Sequence, residues 1–295
     1  MEKRDFRGLG VALITPFKQD FTVDFDSLGR ILDHIIDGDA DYIVVLGTTG
    51  EVALLSAEEK KAVMDHVRTR TAGRVPLVLG FGGNNTVELV KNLQTLDLNG
   101  YSAILSVAPF YLKPSQEGLY RHYKTLSEHS PVPVILYNVP GRTGCNLSAR
   151  TTLRLATDCS NIVAIKEASG NRSQIEEIIK KKPEGFQVLS GDDGLAYPLM
   201  MLGASGVISV IGNAYPADFS KMTHLCLSGE VQQAKKLHYK YIDLIRALFE
   251  DGNPGGIKNL MSQMGFCEEV LRLPLVRVKK ETAENIRRER ENLRK

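Results

Sequence analysis

The chain has no tryptophan and only four cysteines in 295 residues. Cys145, Cys159, Cys226 and Cys267 are widely scattered, without any CxxC spacing. That spacing excludes a disulfide framework and reads as free thiols in a reducing compartment, the cytoplasm. His34, His66, His122, His129, His224 and His238 are equally dispersed and form no HExxH motif, so no catalytic metal is expected. A charge excess is also missing: 37 basic and 35 acidic residues leave a formal net charge of +2. Nucleic acid is therefore not an expected partner. No apolar stretch is long enough to cross a membrane. Met1-Glu2-Lys3-Arg4-Asp5 runs toward a strand signal rather than a signal-type apolar segment. No GxGxxG follows the first apolar run, which leads into Thr15-Pro16-Phe17, and this weighs against a doubly wound nucleotide-binding sheet.

What is present is a rhythm. Hydrophobic residues make up 43% of the chain, with 26 glycines, enough for a large core and many tight turns. Short runs rich in Val, Ile and Leu recur at 10–14, 42–46, 75–79, 103–107, 132–137, 162–166, 186–190 and 206–211. They are continuously apolar rather than alternating, as parallel strands buried on both faces are. Helical patterns lie between them. Leu28, Ile31, Leu32 and Ile35 share one face, and Ser56-Ala57-Glu58-Glu59 is a capping box. Val87, Val90 and Leu93 mark a helix over 86–98, and Ser115, Ser148 and Asn171 are further expected caps. Eight strand–helix units predict an α/β fold, a (β/α)8 TIM barrel over residues 1–228. Helical patterns at 231–249, 256–264 and 279–293 predict a C-terminal extension over 229–295, ending in a charged, solvated helix.

Chemistry in such a barrel sits at the C-terminal ends of the strands. Lys166 closes the apolar run Ile162-Val163-Ala164-Ile165, where a charged ammonium is costly to bury. Burial favours the neutral amine, which can attack a carbonyl and form a Schiff base. The plainer reading is a buried stem whose head reaches solvent. Tyr137 ends the neighbouring run, about 4.8 Å away across the sheet, and a phenol there can shuttle a proton. Arg142, in the following loop, suits a bidentate carboxylate contact. Gly47-Thr48-Thr49-Gly50-Glu51 offers hydroxyl and backbone donors to a small carboxylate. Asp192 and Asp193 read first as a helix cap rather than metal ligands. Ile211-Gly212-Asn213 is expected to leave room over the barrel axis.

Three segments together carry a resemblance: Gly47 to Glu51, Tyr137-Asn138-Val139-Pro140-Gly141-Arg142-Thr143-Gly144, and Ile165-Lys166-Glu167-Ala168. In this order the chain resembles the dihydrodipicolinate synthase and N-acetylneuraminate lyase family over nearly its whole length. The resemblance implies a class I aldolase without a cofactor, in which Lys166 forms a covalent imine with pyruvate. It further implies L-aspartate 4-semialdehyde as acceptor and a place in lysine and diaminopimelate biosynthesis. Tyr137, Thr48 and Tyr111 match the family's proton relay, with Tyr111 entering a neighbouring subunit of a homotetramer built as a dimer of dimers. Thr49 matches the pyruvate-carboxylate contact, Arg142 the contact to the aldehyde's carboxylate, and Gly191 and Ile208 further substrate-binding positions. The alternative is another pyruvate-dependent aldolase, such as an N-acetylneuraminate lyase or a 2-keto-3-deoxy sugar acid aldolase. Arg142 favours the short anionic aldehyde. Asn84 and Glu88 match an effector site for lysine, but Ala57 and Lys60 stand where the lysine-sensitive pattern has histidines, and Phe110 where it has tyrosine. Weak or absent inhibition by lysine is the resulting expectation.

Overall fold

The apolar runs form eight parallel strands that close on one another. The computed structural model describes residues 5–293, so Met1 to Arg4 and the last two charged residues, Arg294 and Lys295, lie outside the described residues. The strands are β1 (Gly8–Ala12), β2 (Tyr42–Val45), β3 (Leu77–Gly80), β4 (Tyr101–Val107), β5 (Val134–Asn138), β6 (Ile162–Glu167), β7 (Gln187–Ser190) and β8 (Gly206–Ser209). Each pairs with the next, and β8 returns to β1 through Gly8↔Gly206 to Val11↔Ser209. The crossovers are α1 (Phe25–Asp37), α2 (Ala57–Thr71), α3 (Thr86–Thr95) and α4 (Gln116–His129). A single turn α5 (Pro140–Thr143) precedes α6 (Ala149–Asp158), and α7 (Arg172–Lys181), α8 (Asp193–Met201) and α9 (Pro216–Leu227) complete the ring.

Parallel strands joined by helices must be apolar on both faces, and the packing divides accordingly. Val44, Val78, Leu105, Ile135, Ala164, Leu189 and Ile208 fill the barrel interior. Their sequence neighbours join the helices in a larger outer core. Burying each large aliphatic side chain stabilises the fold by about 1.5–3 kcal/mol. The helices start where short polar side chains satisfy free backbone N–H groups. Ser56 and Glu59 form the reciprocal capping box, and Ser115, Ser148 and Asn171 each accept from the first turn of their helix.

Several boundaries depart from the sequence reading by one to three residues, the helix expected over 86–98 ending at Thr95 among them. Strand β1 begins two residues earlier, because Gly8 and Leu9 pair with β8. Strand β8 stops at Ser209, and Ile211–Asn213 forms a 3-10 turn. The Asp193 carboxylate accepts the Val210 and Ile211 N–H groups at 3.0 Å each, which draws that backbone out of the strand. Asn213 does not open space over the axis. It is fully buried, accepts from Ile14 N, and donates to Ala12 and Val210 carbonyls.

Beyond the ring come α10 (Val231–Phe249), α11 (Gly255–Gln263) and α12 (Lys280–Asn292). Leu244, Leu248, Ile257, Leu260, Met261 and Ile286 merge into the same outer core as the barrel helices. This extension therefore shares the barrel's core rather than forming its own. Its connecting segment is pinned by Arg272, which donates to the Leu54 carbonyl at 2.8 Å, to Phe21 O at 2.6 Å and to Glu59 Oε2 at 2.7 Å. Among the described residues no helix is long and apolar enough to cross a membrane.

Hydrogen bonds from Arg272 hold the Glu59 carboxyl down at about 2, from an ordinary 4.5. A depressed carboxylate contributes its stability above its unfolded pKa and loses it as pH falls through the folded value. The Arg272 segment should therefore loosen between about pH 4.5 and 2. Hydrogen exchange at the backbone around Arg272 should report this, and Glu59→Gln should remove that pH dependence.

Candidate active site

The register between β5 and β6 places Tyr137 opposite Lys166 and Asn138 opposite Glu167. Successive strand residues face opposite sides. Tyr137 and Lys166 therefore rise from the interior layer, two residues beyond Ile135 and Ala164. Lys166 is 6% exposed, and its Nζ lies 4.5 Å from the centroid of the Tyr137 ring. The Lys166 stem is thus buried and its head stays beside the phenol at the barrel mouth. Gly191, just past β7, leaves space for it: a Cβ there would stand 3.1 Å from Lys166 Cε and 2.7 Å from Ala168 Cβ.

The outward neighbours lock the same two strands. The Glu167 carboxylate is buried and accepts four hydrogen bonds. These come from Asn138 Nδ2 at 2.6 Å, Gln174 Nε2 at 2.9 Å, and the Ser169 N–H and hydroxyl at 3.0 and 2.6 Å. Asn138 also accepts from Leu147 N at 2.9 Å. A buried carboxylate is tolerated when its lone pairs are filled in this way.

The loop after β2 forms the opposite wall. Thr48–Gly50 is a single 3-10 turn. It is bracketed by Leu46 at φ 57° and Glu51 at φ 54°, left-handed conformations that non-glycine residues seldom adopt. Gly80 makes this turn possible, since a Cβ there would meet the Leu46 carbonyl oxygen at 2.2 Å. Thr49 is buried, and its hydroxyl accepts from Asn253 Nδ2 at 3.0 Å. The exposed Arg142, in α5, donates to the Asn253 carbonyl at 3.3 Å. Asn253, just before α11, thus joins the two expected carboxylate contacts. Glu51 forms a fully buried ion pair with Lys258 of α11.

The remaining candidates are placed as follows. Thr48 is partly exposed in the turn. Tyr111 is 87% exposed at φ 70°, with its N–H donated to the Thr143 carbonyl at 3.0 Å. Its own chain thus leaves Tyr111 facing outward. Ile208 is fully buried in the barrel interior. Asn84 accepts the Phe110 N–H at 2.8 Å, and Glu88 is exposed in the first turn of α3. Asp192 caps α8 by accepting from Gly194 and Leu195. Burial raises the Asp193 carboxyl to about 6. No group of His, Cys, Asp and Glu among the described residues is arranged to hold a metal ion. Asn253 and Lys258 carry no sequence signal, and Glu51 enters only within the Gly47–Glu51 segment, because contacts such as that of Asn253 with Thr49, 204 residues apart, leave no local pattern.

A barrel with a lysine and a tyrosine on adjacent strand ends, facing a Thr-Thr turn, has known counterparts. The Dihydrodipicolinate synthetase family matches residues 5–292. The chain belongs to this family. A 4-hydroxy-tetrahydrodipicolinate synthase of Parabacteroides distasonis is 53% identical over 283 residues, covering 96% of this chain and 95% of that relative. The crystal structure of dihydrodipicolinate synthase from Aquifex aeolicus superimposes with a TM-score of 0.93 at 41% identity, covering 98% of this chain and 99% of that one. The chloride-inhibited enzyme from Acinetobacter baumannii complexed with pyruvate does so with a TM-score of 0.94 at 38% identity, with the same coverage of both chains.

Within this family fold, Glu167 ties β6 to β5 without facing the barrel axis. Glu167→Ala removes the charged acceptor shared by Asn138, Gln174 and Ser169, and each hydrogen bond lost to a charged group costs about 1.5–3 kcal/mol. The expected result is a clearly lowered denaturant midpoint, read by circular dichroism, with the slope of the transition unchanged.

Proposed function

We propose that the chain catalyses the 4-hydroxy-tetrahydrodipicolinate synthase reaction, a lyase-class condensation of pyruvate with L-aspartate 4-semialdehyde in lysine and diaminopimelate biosynthesis. The observation that carries this reading is the buried Lys166 Nζ at 4.5 Å from the Tyr137 ring. A neutral amine there attacks C2 of pyruvate, and loss of water leaves an imine. The imine nitrogen, once protonated, withdraws electrons from C3, so the reaction needs no metal or organic cofactor. Tyr137, having given its phenol proton to the departing hydroxyl, takes a C3 proton to give the enamine. C3 then forms a bond to the aldehyde carbon, whose oxygen receives a proton. The amino group of the bound substrate attacks C2, the C2–Lys166 bond breaks, and the ring closes as the lysine is freed.

The other walls have matching roles in this reading. Thr49, with the amides of its turn, holds the pyruvate carboxylate, and Gly191 keeps space beside the imine. Ile208 forms the apolar floor. Arg142 receives the carboxylate of the aldehyde substrate, which supports a short anionic acceptor over a polyhydroxylated sugar acid. Thr48 and Tyr111 extend the proton relay from Tyr137. Phe110, Tyr111 and Leu112 are 43%, 87% and 63% exposed, a continuous aromatic and apolar tip. That exposure supports Tyr111 serving a neighbouring subunit, in a homotetramer assembled as a dimer of dimers. Residues 1–228 act as the catalytic barrel and 229–295 as its helical extension.

Reduction with borohydride in the presence of pyruvate should fix a pyruvate adduct on Lys166, located by peptide mass. Lys166→Ala should lose the adduct while keeping its melting temperature. Tyr137→Phe should lower turnover by about 10²–10⁴-fold, the usual range for a lost general acid–base group. An unmodified Lys166, or a preference for N-acetylneuraminate over aspartate semialdehyde in rate assays, would refute this assignment.

Feedback by lysine at Asn84 and Glu88 is weak or absent in the same reading. Lys60 adds positive charge where an ammonium ligand would be received. Turnover at sub-millimolar lysine should match turnover without it.

A further inference from the structure

The ion pair between Glu51 and Lys258 lies at the base of the Thr48–Thr49 turn, and both side chains are 0% exposed. A pair of charges this deep is expensive to desolvate, and apolar side chains of similar volume would serve stability as well or better. Its surroundings are built around it. Lys258 Nζ also donates to the Val270 carbonyl at 2.9 Å and lies 4.1 Å from the centroid of the Phe17 ring. The other Glu51 oxygen accepts the Arg272 N–H at 3.3 Å. Burial pushes the Lys258 ammonium toward its neutral form, and the Glu51 carboxylate opposes that push.

Two further observations point to a purpose beyond packing. Glu51 is one of the two left-handed residues that bracket the turn, a conformation that persists only where surrounding contacts over-determine it. Lys258 follows Asn253 by little more than one helical turn. The Asn253 amide donates to the Thr49 hydroxyl at 3.0 Å, while its own Oδ1 is buried without a partner. The ion pair therefore grips the turn at Glu51 and also fixes the element that orients Thr49.

We propose that Glu51 and Lys258 are positioning residues for pyruvate. Their buried pair holds the strained Thr48–Thr49 turn and the Asn253 anchor, so that α11 of the C-terminal extension completes the carboxylate site. Among the described residues, no hydrogen bond or ion pair joins either residue to Lys166. The proposal rests on the assignment of Thr49 to the pyruvate carboxylate.

The test uses the full-length protein with Glu51→Gln, Lys258→Met and the two combined. Pyruvate is titrated while borohydride traps the Lys166 adduct, and KM is measured separately for pyruvate and for aspartate semialdehyde. Each single variant should raise the pyruvate concentration for half-maximal trapping by about tenfold, the scale of one well-placed hydrogen bond. KM for the aldehyde should rise by clearly less than the pyruvate value, because Asn253 reaches Arg142 only through one 3.3 Å carbonyl contact, a split that general loosening of the fold would not give. The double variant has no uncompensated charge, so its melting temperature should recover while half-maximal trapping stays raised. If a single variant does not fold, the double variant decides. Unchanged pyruvate dependence in a folded variant, or its return together with stability in the double variant, would overturn the proposal. Absence of any adduct in the unaltered chain would remove the Schiff-base assignment itself, and is seen before any variant is compared.

Discussion

The backbone ladder between β5 and β6 sets two things at once. Inside the barrel it brings Tyr137 beside Lys166, and outside it brings Asn138 beside Glu167. Side chains alternate along a strand, so a slip of one residue would exchange the two faces. Lys166 would then enter the helix layer and Glu167 the barrel mouth. The Asn138–Glu167 hydrogen bond at 2.6 Å is compatible with only one register, and Gln174 from α7 closes on the same carboxylate. The Lys166 and Tyr137 side chains are thus positioned by groups that never face the barrel axis.

Polar burial follows a single rule around this site. Glu167 is satisfied by neutral donors, Asp193 by the Val210 and Ile211 N–H groups, and Glu51 by a full ammonium. Glu167 has both oxygens engaged by groups on the elements it joins, while Asp193 places one oxygen, Oδ2, on both N–H groups. The third crosses from the barrel to α11 and carries real risk. Removing one partner of a buried pair costs about 3–5 kcal/mol, because the other charge is left unpaired. Phe17 offers its ring to both Lys258 and Arg272, at 4.1 and 4.4 Å, which softens the concentration of positive charge beside it.

Much of this was legible in the chain itself. The eight apolar runs, the Ser56–Glu59 capping box and the Asp192 cap involve residues close in sequence, and their physics is local. Lys166 and Tyr137 stood out because a polar group ended each apolar run. The end of β8 was misjudged, because Val210 and Ile211 are apolar and their departure from the strand depends on a carboxylate from α8. Asn213 reads as small and permissive, whereas its amide satisfies three backbone groups, at Ala12, Ile14 and Val210. Asn253 and Lys258 carried no signal, since Asn-Pro-Gly-Gly reads as a turn and a lysine in a helix reads as surface.

The contact between Glu51 and Arg272 joins residues 221 positions apart, and this orders events in time. At about 5–20 residues per second, Glu51 leaves the ribosome roughly 10–40 s before its stabilising partners have been made. During that interval the β2 turn has neither its counter-charge nor its anchor, and the carboxylate must remain hydrated. The β2 turn therefore lacks this contact until synthesis has passed Arg272. A product cut short by premature termination would carry Lys166 and Tyr137 yet lack the last wall of their site.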